Sequence, residues 1–338
     1  MKAAIIGAFG CGRETIFRAL TGSPPSPARQ DLRQGEAIVS DSRLDWLGSI
    51  FQPKKFTPAK IDLSLSKTLG EPEEVLKNAL ENARLADVLI LVLRNFVDLK
   101  GASPDPAKEA LDMESRLIVA DFLTVSKRLE KLAEEKKKGK KTDPEEQALL
   151  EEALTYLDNS KALRELPKIS KAPKLRGFGL LSAKTCLALI NNPDDSDNHP
   201  PLPIKALPLA MRARLEDELS RLSAHEAAEF AADYGLKELG RDKVIRAVYQ
   251  AMDLISFFTV GEDECRAWTL ERSQEAYAAA GVIHSDIQKG FIRAEVVAFS
   301  DFKDCGGFNE AKKRGLFRLE GKNYQVKDGD IAHFRFNV

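Results

Sequence analysis

The spacing of apolar residues changes twice along the chain, and each change marks a different kind of structure. Up to Leu93, short apolar runs alternate with stretches of helical spacing. Lys2–Ile6 predicts a buried strand, Thr15–Leu20 a helix, Glu36–Val39 a strand and Asp41–Phe51 a helix. Ile61, Leu63 and Leu65 alternate as in a strand, and Pro72–Arg84 follows as a helix. Val88 to Leu93 is apolar without interruption, the pattern of a central strand in a parallel sheet covered on both faces. The pattern returns at Thr185–Ile190. A further strand is predicted at Pro203–Leu207, and helices near Ala210–Leu222, Ser223–Tyr234 and Arg241–Ile255.

Between these halves, Lys108–Lys138 places Leu111, Ile118, Phe122, Val125, Leu129 and Leu132 at helical spacing among many charges. The run breaks at Lys138-Gly139-Lys140-Lys141-Thr142-Asp143-Pro144, and a second helix, Glu145–Leu157, follows. Asp143 fits its N-cap and Pro144 its first helical position. This predicts an antiparallel helical hairpin inserted into the sheet domain. From Ser256 the rhythm shortens again. Strands are predicted at Phe257–Val260, Cys265–Leu270, Arg293–Phe299, Phe317–Leu319, Tyr324–Val326 and Ile331–Phe336, with helical segments near Ser273–Ala280 and Asn309–Lys313. The turn Lys327-Asp328-Gly329-Asp330 precedes the last strand as a hairpin requires. The expected architecture is α/β: a mostly parallel sheet over 1–104 and 171–253, the helical hairpin over 105–170, and a ubiquitin-like β-grasp over 254–338.

Composition narrows the partners. A net charge of −1 leaves no bulk attraction for nucleic acid or membrane, so any basic surface must be local. The cysteines, Cys11, Cys186, Cys265 and Cys305, lie far apart without a Cys-x-x-Cys pair, which predicts a reduced cytoplasmic chain with no zinc site. Histidines at 199, 225, 284 and 333 are too scattered for a metal cluster. No signal peptide is recognised and no apolar run approaches eighteen residues, so a soluble, intracellular protein is expected.

The chemistry is concentrated at Gly7-Ala8-Phe9-Gly10-Cys11-Gly12-Arg13-Glu14-Thr15. A glycine-rich turn between a strand and a helix is the layout of a phosphate-binding P-loop. Gly7 and Gly12 have the P-loop spacing, but Arg13 stands where the lysine belongs and Glu14 where the magnesium-binding hydroxyl belongs. On the loop alone, a Rossmann turn competes evenly with an altered P-loop. Arg13 can still supply charge, as a planar fork. A carboxylate about 4 Å from a phosphate costs up to ~4 kcal/mol at an effective dielectric of ~20. Magnesium, for which a carboxylate is also a ligand, would offset part of this. Alternatively Glu14 stabilises the empty loop from the helix N-terminus.

Other positions bear on the same question. Where a P-loop GTPase carries Asp-x-x-Gly, this chain has Leu65-Ser66-Lys67-Thr68. Asn191-Asn192-Pro193-Asp194 follows a buried strand where such proteins read the base, although Asn-Pro-Asp is also ordinary turn chemistry. Lys136, Lys137, Lys138, Lys140 and Lys141 crowd the hairpin tip. Solvated surface is the commoner reading of such a run, and a contact for RNA phosphates the functional one.

The C-terminal residues permit a family comparison. Asp253–Val338 resembles the TGS-type domain of the YchF / Obg-like ATPase family through Phe257-Phe258-Thr259, Arg266-Ala267-Trp268-Thr269, Val282-Ile283-His284-Ser285-Asp286 and Lys289-Gly290-Phe291-Ile292-Arg293-Ala294-Glu295-Val296. Leu319-Glu320-Gly321-Lys322, Asp328-Gly329-Asp330 and Phe334-Arg335-Phe336-Asn337-Val338 continue it. Arg43-Leu44-Asp45, Leu117–Leu132, His225–Phe230 and Tyr234-Gly235-Leu236 extend the resemblance over most of the chain, which removes the Rossmann reading. The resemblance implies a P-loop NTPase core, a coiled-coil arm, slow ATP hydrolysis with ATP preferred to GTP, and association with ribosomes. It places Gly7, Gly10, Gly12 and Thr15 in the phosphate loop and Asn191 and Asp194 in a base motif, Asp194 replacing a glutamate.

Two functions follow as expectations. The first is a binding protein on a nucleotide-binding fold with hydrolysis weak or lost, docking on a ribosome or RNA as a monomer, without DNA specificity or membrane attachment. Its candidate contacts are the lysine tip with His284, Lys289, Arg293, Arg318 and Lys322, each of which also reads as ordinary β-grasp surface. The alternative is a slow ATPase or GTPase that holds ATP or GTP with magnesium through Arg13 and Glu14.

Overall fold

The structure is a computed structural model that describes residues 2–24, 32–66, 72–98, 100–222, 226–227, 229–230, 234–235 and 238–337. Lys67 and Thr68, Pro25–Pro27, and most of the helix expected at Ser223–Tyr234, His225 included, lie outside these residues. The chain divides into two compact units, Met1–Ala37 with Asp62–Val244, and Ile38–Ile61 with Ile245–Val338.

The first unit is built on a six-stranded sheet in the order β2-β4-β1-β5-β6-β7. Its strands are β1 (Lys2–Gly7), β2 (Leu32–Ile38), β4 (Lys60–Ser66), β5 (Val88–Arg94), β6 (Thr185–Asn191) and β7 (Leu207–Met211). β1 pairs in parallel with β4 and β5, β5 with β6, and β6 with β7. The uninterrupted apolar runs are thus the central strands. One face is covered by α3 (Pro72–Ala83) and the start of α4 (Pro106–Lys137), where Ala110, Met113 and Leu117 pack with Ile6, Leu89 and Leu91. Parallel pairing gathers the C-terminal ends of β1, β5 and β6 on one edge, where open α/β sheets bind their ligands. Gly7, Arg94 and Asn191 stand there.

The helical hairpin forms as expected from α4 and α5 (Pro144–Asp158). Asp105 and Asp143 cap the two helices by accepting from Lys108 N–H and Glu145 N–H, each just before a proline at the first helical position. Val125, Leu132, Leu150, Ala153 and Leu157 form the hairpin's core. At its root, Arg164 Nη1 donates to both oxygens of Glu114, at 2.5 and 2.7 Å. Asp121, fully buried, accepts from Leu181 N–H, Ser182 N–H and Ser182 Oγ at 2.6–2.8 Å.

The second unit is a six-stranded sheet in the order β11-β10-β12-β8-β9-β3. Its strands are β3 (Lys55–Thr57), β8 (Leu254–Thr259), β9 (Glu264–Glu271), β10 (Phe291–Ala298), β11 (Arg318–Glu320) and β12 (Asp330–Phe336). β3 was not expected. Residues 38–61 fold onto the C-terminal residues, with β3 parallel to β9 and Trp46 of α2 (Ser42–Phe51) edge-on to Phe299 at 5.5 Å.

Four expected elements differ. The strand placed at Pro203–Leu207 is instead β7, because Pro203 has no N–H for a ladder and parallel pairing with β6 begins only at Leu207. The helix expected from Ala210 accordingly starts later, as α7 (Ala213–Leu219). Arg241–Ile255 splits into α8 (Gly240–Ala251) and β8, separated at Asp253, whose φ is 53°. Tyr324–Val326 makes only an isolated bridge between Gln325 and Glu275.

Candidate functional site

The glycine loop joins β1 to α1 (Arg13–Thr21), and two of its glycines are required by space as well as by backbone. At Gly7, φ is 152° and a Cβ would come within 2.6 Å of the Val92 carbonyl and 2.8 Å of Cys11 Sγ. At Gly12, φ is 93° and a Cβ would collide with the Asn191 amide. Gly12 is also the N-cap of α1, and no side chain caps the helix. The first N–H groups of α1 therefore keep their capacity for an anion.

Arg13 is 4% exposed, and its Nη1 atom is buried without a hydrogen-bond partner. No ion pair to Arg13 occurs among the described residues. Burial pushes its guanidinium below the ordinary value, and the neighbouring Cys11 opposes this only in part. Burial likewise pushes the Cys11 thiol up to about 12, so at neutral pH it carries no charge that would neutralise Arg13. Arg13 lines a cleft of 160 Å³ with Gly7, Ala8 and Phe9 of the loop and with Glu109, Asp112 and Arg116 of α4.

Glu14 does not fold back over the loop. It is ion-paired with Arg33 of β2. Arg33 also donates to the Pro24 carbonyl at 3.2 Å and lies 4.7 Å over the Phe17 ring. The carboxylate at the position of the metal-binding hydroxyl is thus already neutralised from within the chain. Ser66, at the end of β4, is buried, its hydroxyl 2.8 Å from the Asn82 amide and donating to the Asn78 carbonyl at 3.4 Å. Among the described residues no group of three or more His, Cys, Asp or Glu side chains is arranged for a metal ion. At position 14, the described residues present magnesium with no free ligand.

A second cleft, of 680 Å³, opens on the other side of the loop. Its volume lies in the range of small-molecule sites. Gly12, Thr15, Asn191 and Asp194 line it, as the sequence suggested, together with Asn95, Phe96 and Arg214. Asn191 is buried and its amide is largely committed to structure. Its Nδ2 donates to the Cys11 carbonyl at 3.0 Å, and its Oδ1 accepts from Ala213 N–H at 3.4 Å. Asn192 accepts from Asn95 Nδ2 at 2.8 Å and donates to the Asn198 carbonyl at 3.0 Å. Asp194 is paired with Arg214 at 2.9 Å, and Arg214 is largely exposed. Asn95, Phe96 and Arg214 were missed by the sequence reading, although Asn95 and Phe96 directly follow a central strand, the position from which such sheets present ligand-binding loops. Arg33 had no local signal.

The candidate RNA contacts do not come together. Lys136, Lys137, Lys138, Lys140 and Lys141 are all exposed at the hairpin tip, and among the described residues only Lys138 has an ion-pair partner, Glu134 at 3.8 Å. In the second unit, His284 caps the short helix α10 (Ser285–Lys289), its Nδ1 accepting from Asp286 N–H, and exposed Lys289 lies 3.9 Å from Asp286. Arg293 is exposed on β10 beside Gly321, and Lys322 lies 5.2 Å over the Tyr277 ring. Arg318 is committed to Glu320 and Tyr324. Among the described residues no helix is long and apolar enough to cross a membrane.

Comparison with known proteins agrees with this geometry. Residues 254–337 match a family model for the C-terminal domain of YchF GTPases, described as a protein of unknown function (DUF933). The whole chain is 33% identical over 361 residues to the ribosome-binding ATPase YchF of Haemophilus ducreyi, covering 99% of that protein. It is 33% identical over 364 residues to the protein of the same name in Bacillus subtilis, covering all of it. Obg-like ATPase 1 of Schizosaccharomyces pombe is 30% identical over 369 residues, with 99% of this chain and 94% of that one covered. The solved structure of the S. pombe YchF GTPase superposes with a TM-score of 0.81 at 27% identity, over 99% of this chain and 97% of that one.

Proposed function

Because the chain belongs to the YchF and Obg-like ATPase family, we propose that it binds a nucleotide on its glycine loop with hydrolysis weak or lost, and acts as a ribosome- or RNA-associated protein of the cytoplasm. The observation that carries the loss of turnover is the Glu14–Arg33 ion pair. It stands where a P-loop hydrolase keeps the hydroxyl that holds its metal, and phosphoryl transfer depends on such positioned charge. In this reading Gly7, Gly10, Gly12, Arg13 and Thr15 face the phosphates, and the cleft with Asn191 and Asp194 takes the base and sugar. The arm over 105–170 acts as the coiled coil and 254–338 as the TGS-type domain.

Support for the ribosome comes from the names of the bacterial relatives and from the exposed lysines at the hairpin tip. The test pairs two assays on the purified protein: pelleting with ribosomes across a salt series, and phosphate release from ATP and GTP. The reading expects co-sedimentation that weakens with salt and with Lys136→Glu/Lys137→Glu/Lys140→Glu, and phosphate release at buffer background. No pelleting at low salt would remove the ribosome from it.

The unpartnered Arg13 and the open base-side cleft favour a second reading, a slow ATPase or GTPase. That reading expects measurable turnover, abolished in Arg13→Ala and changed modestly in Glu14→Ser, whereas the first expects ribosome pelleting unchanged in both variants.

A further inference from the structure

At the phosphate end of the site, an ion pair within the chain stands where P-loop proteins hold their metal. Resting on the nucleotide-binding reading above, we propose that the loop holds nucleotide phosphates without a divalent cation, and that Arg13 supplies the side-chain counter-charge.

Charge accounting carries the proposal. A P-loop with lysine and magnesium presents a lysine charge and a divalent ion to the phosphates. Here Glu14 and Arg33 cancel one another, and Arg33 is held in place by the Pro24 carbonyl and the Phe17 ring. Cys11 is a neutral thiol at physiological pH. Within the loop itself, what remains is the guanidinium of Arg13 and the uncapped N-terminus of α1, worth roughly half a positive charge.

A buried arginine without an acidic partner is an expensive arrangement in the empty protein. Its Nη1 atom has no hydrogen-bond acceptor, and the side chain lines the cleft beside Gly7, Ala8 and Phe9. An anion at the loop satisfies Arg13 directly. A divalent cation does not, because it would sit beside one buried positive charge and the Glu14 carboxylate that would ligate it is already bonded to Arg33. The rest of that cleft's lining adds Glu73, Glu109 and Asp112 against Arg116, and Glu109 is bonded to the Arg94 N–H and Nε at 2.9 and 3.3 Å.

The experiment is titration calorimetry of the full chain with ADP and with ATP, in magnesium and in EDTA. The expected affinity in EDTA is within about threefold of that in magnesium, because no ligand set of the protein holds the ion. Arg13→Met keeps the volume and removes the charge, and is expected to weaken binding by about tenfold or more in both buffers, with folding checked by circular dichroism. Binding that weakens more than about tenfold on chelation would overturn the proposal while leaving the nucleotide-binding reading intact. No heat with either nucleotide in either buffer would overturn both. Binding by a folded Arg13→Met protein at the original affinity would assign the counter-charge elsewhere and also overturn it.

Discussion

Two arginines with little exposure, in two regions of this protein, are partnered in opposite ways. At the root of the helical hairpin, Arg164 places Nη1 on both oxygens of Glu114 and Nε on the Lys184 carbonyl at 3.0 Å. In the glycine loop, Arg13 is more deeply buried, has no ion pair among the described residues, and has no hydrogen-bond partner at Nη1. The first arrangement finds its counter-charge within the chain, although its Nη2 has no hydrogen-bond partner either. The second is completed only by something that arrives. Burial of a charge therefore says little about purpose until its partners are counted: a paired buried ion holds two elements together, and an unpaired one marks a place for a ligand.

Substitution separates the two cases most sharply at the hairpin root. Glu114→Ala leaves Arg164 buried without its carboxylate, and a loss of about 3–5 kcal/mol is expected in urea unfolding. A loss below about 1 kcal/mol would mean that Arg164 finds other partners and that the contrast with Arg13 is one of degree.

A third buried charge lies between these extremes. Glu216 of α7 makes no ion pair among the described residues but accepts from Gly240 N–H at 3.0 Å and Arg241 N–H at 2.8 Å, at the start of α8. Burial raises its pKa from 4.5 to about 6, with the two N–H groups opposing. The folded state therefore holds the proton more tightly than the unfolded chain. This contribution is fully present below pH 4.5 and is lost as pH rises through about 6, amounting to about 2 kcal/mol. Unfolding free energies measured from pH 4 to 7 should show that decline, and Glu216→Gln should flatten it.

The smallest effects are expected in the loop itself. Arg13→Met should stabilise the nucleotide-free protein by about 1 kcal/mol, since it removes an unpaired buried charge. A lower melting temperature would show that Arg13 is satisfied in solution and would erase the comparison. Glu14→Gln removes the partner of Arg33 at a half-buried site and should cost less than about 1 kcal/mol.

The legible parts of the fold were those with long periodic signals. Val88–Leu93 and Thr185–Ile190 read correctly because central parallel strands are apolar on both faces. The hairpin read correctly because Asp143-Pro144 marks a helix start. Short elements set by distant pairing were not legible. β3 exists because Lys55–Thr57 meets Glu264–Arg266, and nothing in its three residues announces that. The candidate site divided in the same way. The loop glycines and the Asn191–Asp194 stretch are local patterns after strands, and they were found. Arg33 meets Glu14 only once β2 is laid beside β4, so the neutralisation of Glu14 belongs to topology and could not be read from spacing.

The Asn191 amide bears on how such a protein changes over generations. It holds the Cys11 carbonyl on one side and the Ala213 N–H on the other, and it leaves no room for a side chain at Gly12. Positions 13 and 14 are under no such restraint, because their side chains leave the loop toward the α4 cleft and toward Arg33. A lineage can therefore exchange lysine for arginine and a hydroxyl for a carboxylate without disturbing the loop that carries them. The backbone of the loop is the constrained part of this scaffold, and the side chains at positions 13 and 14 are the exchangeable one.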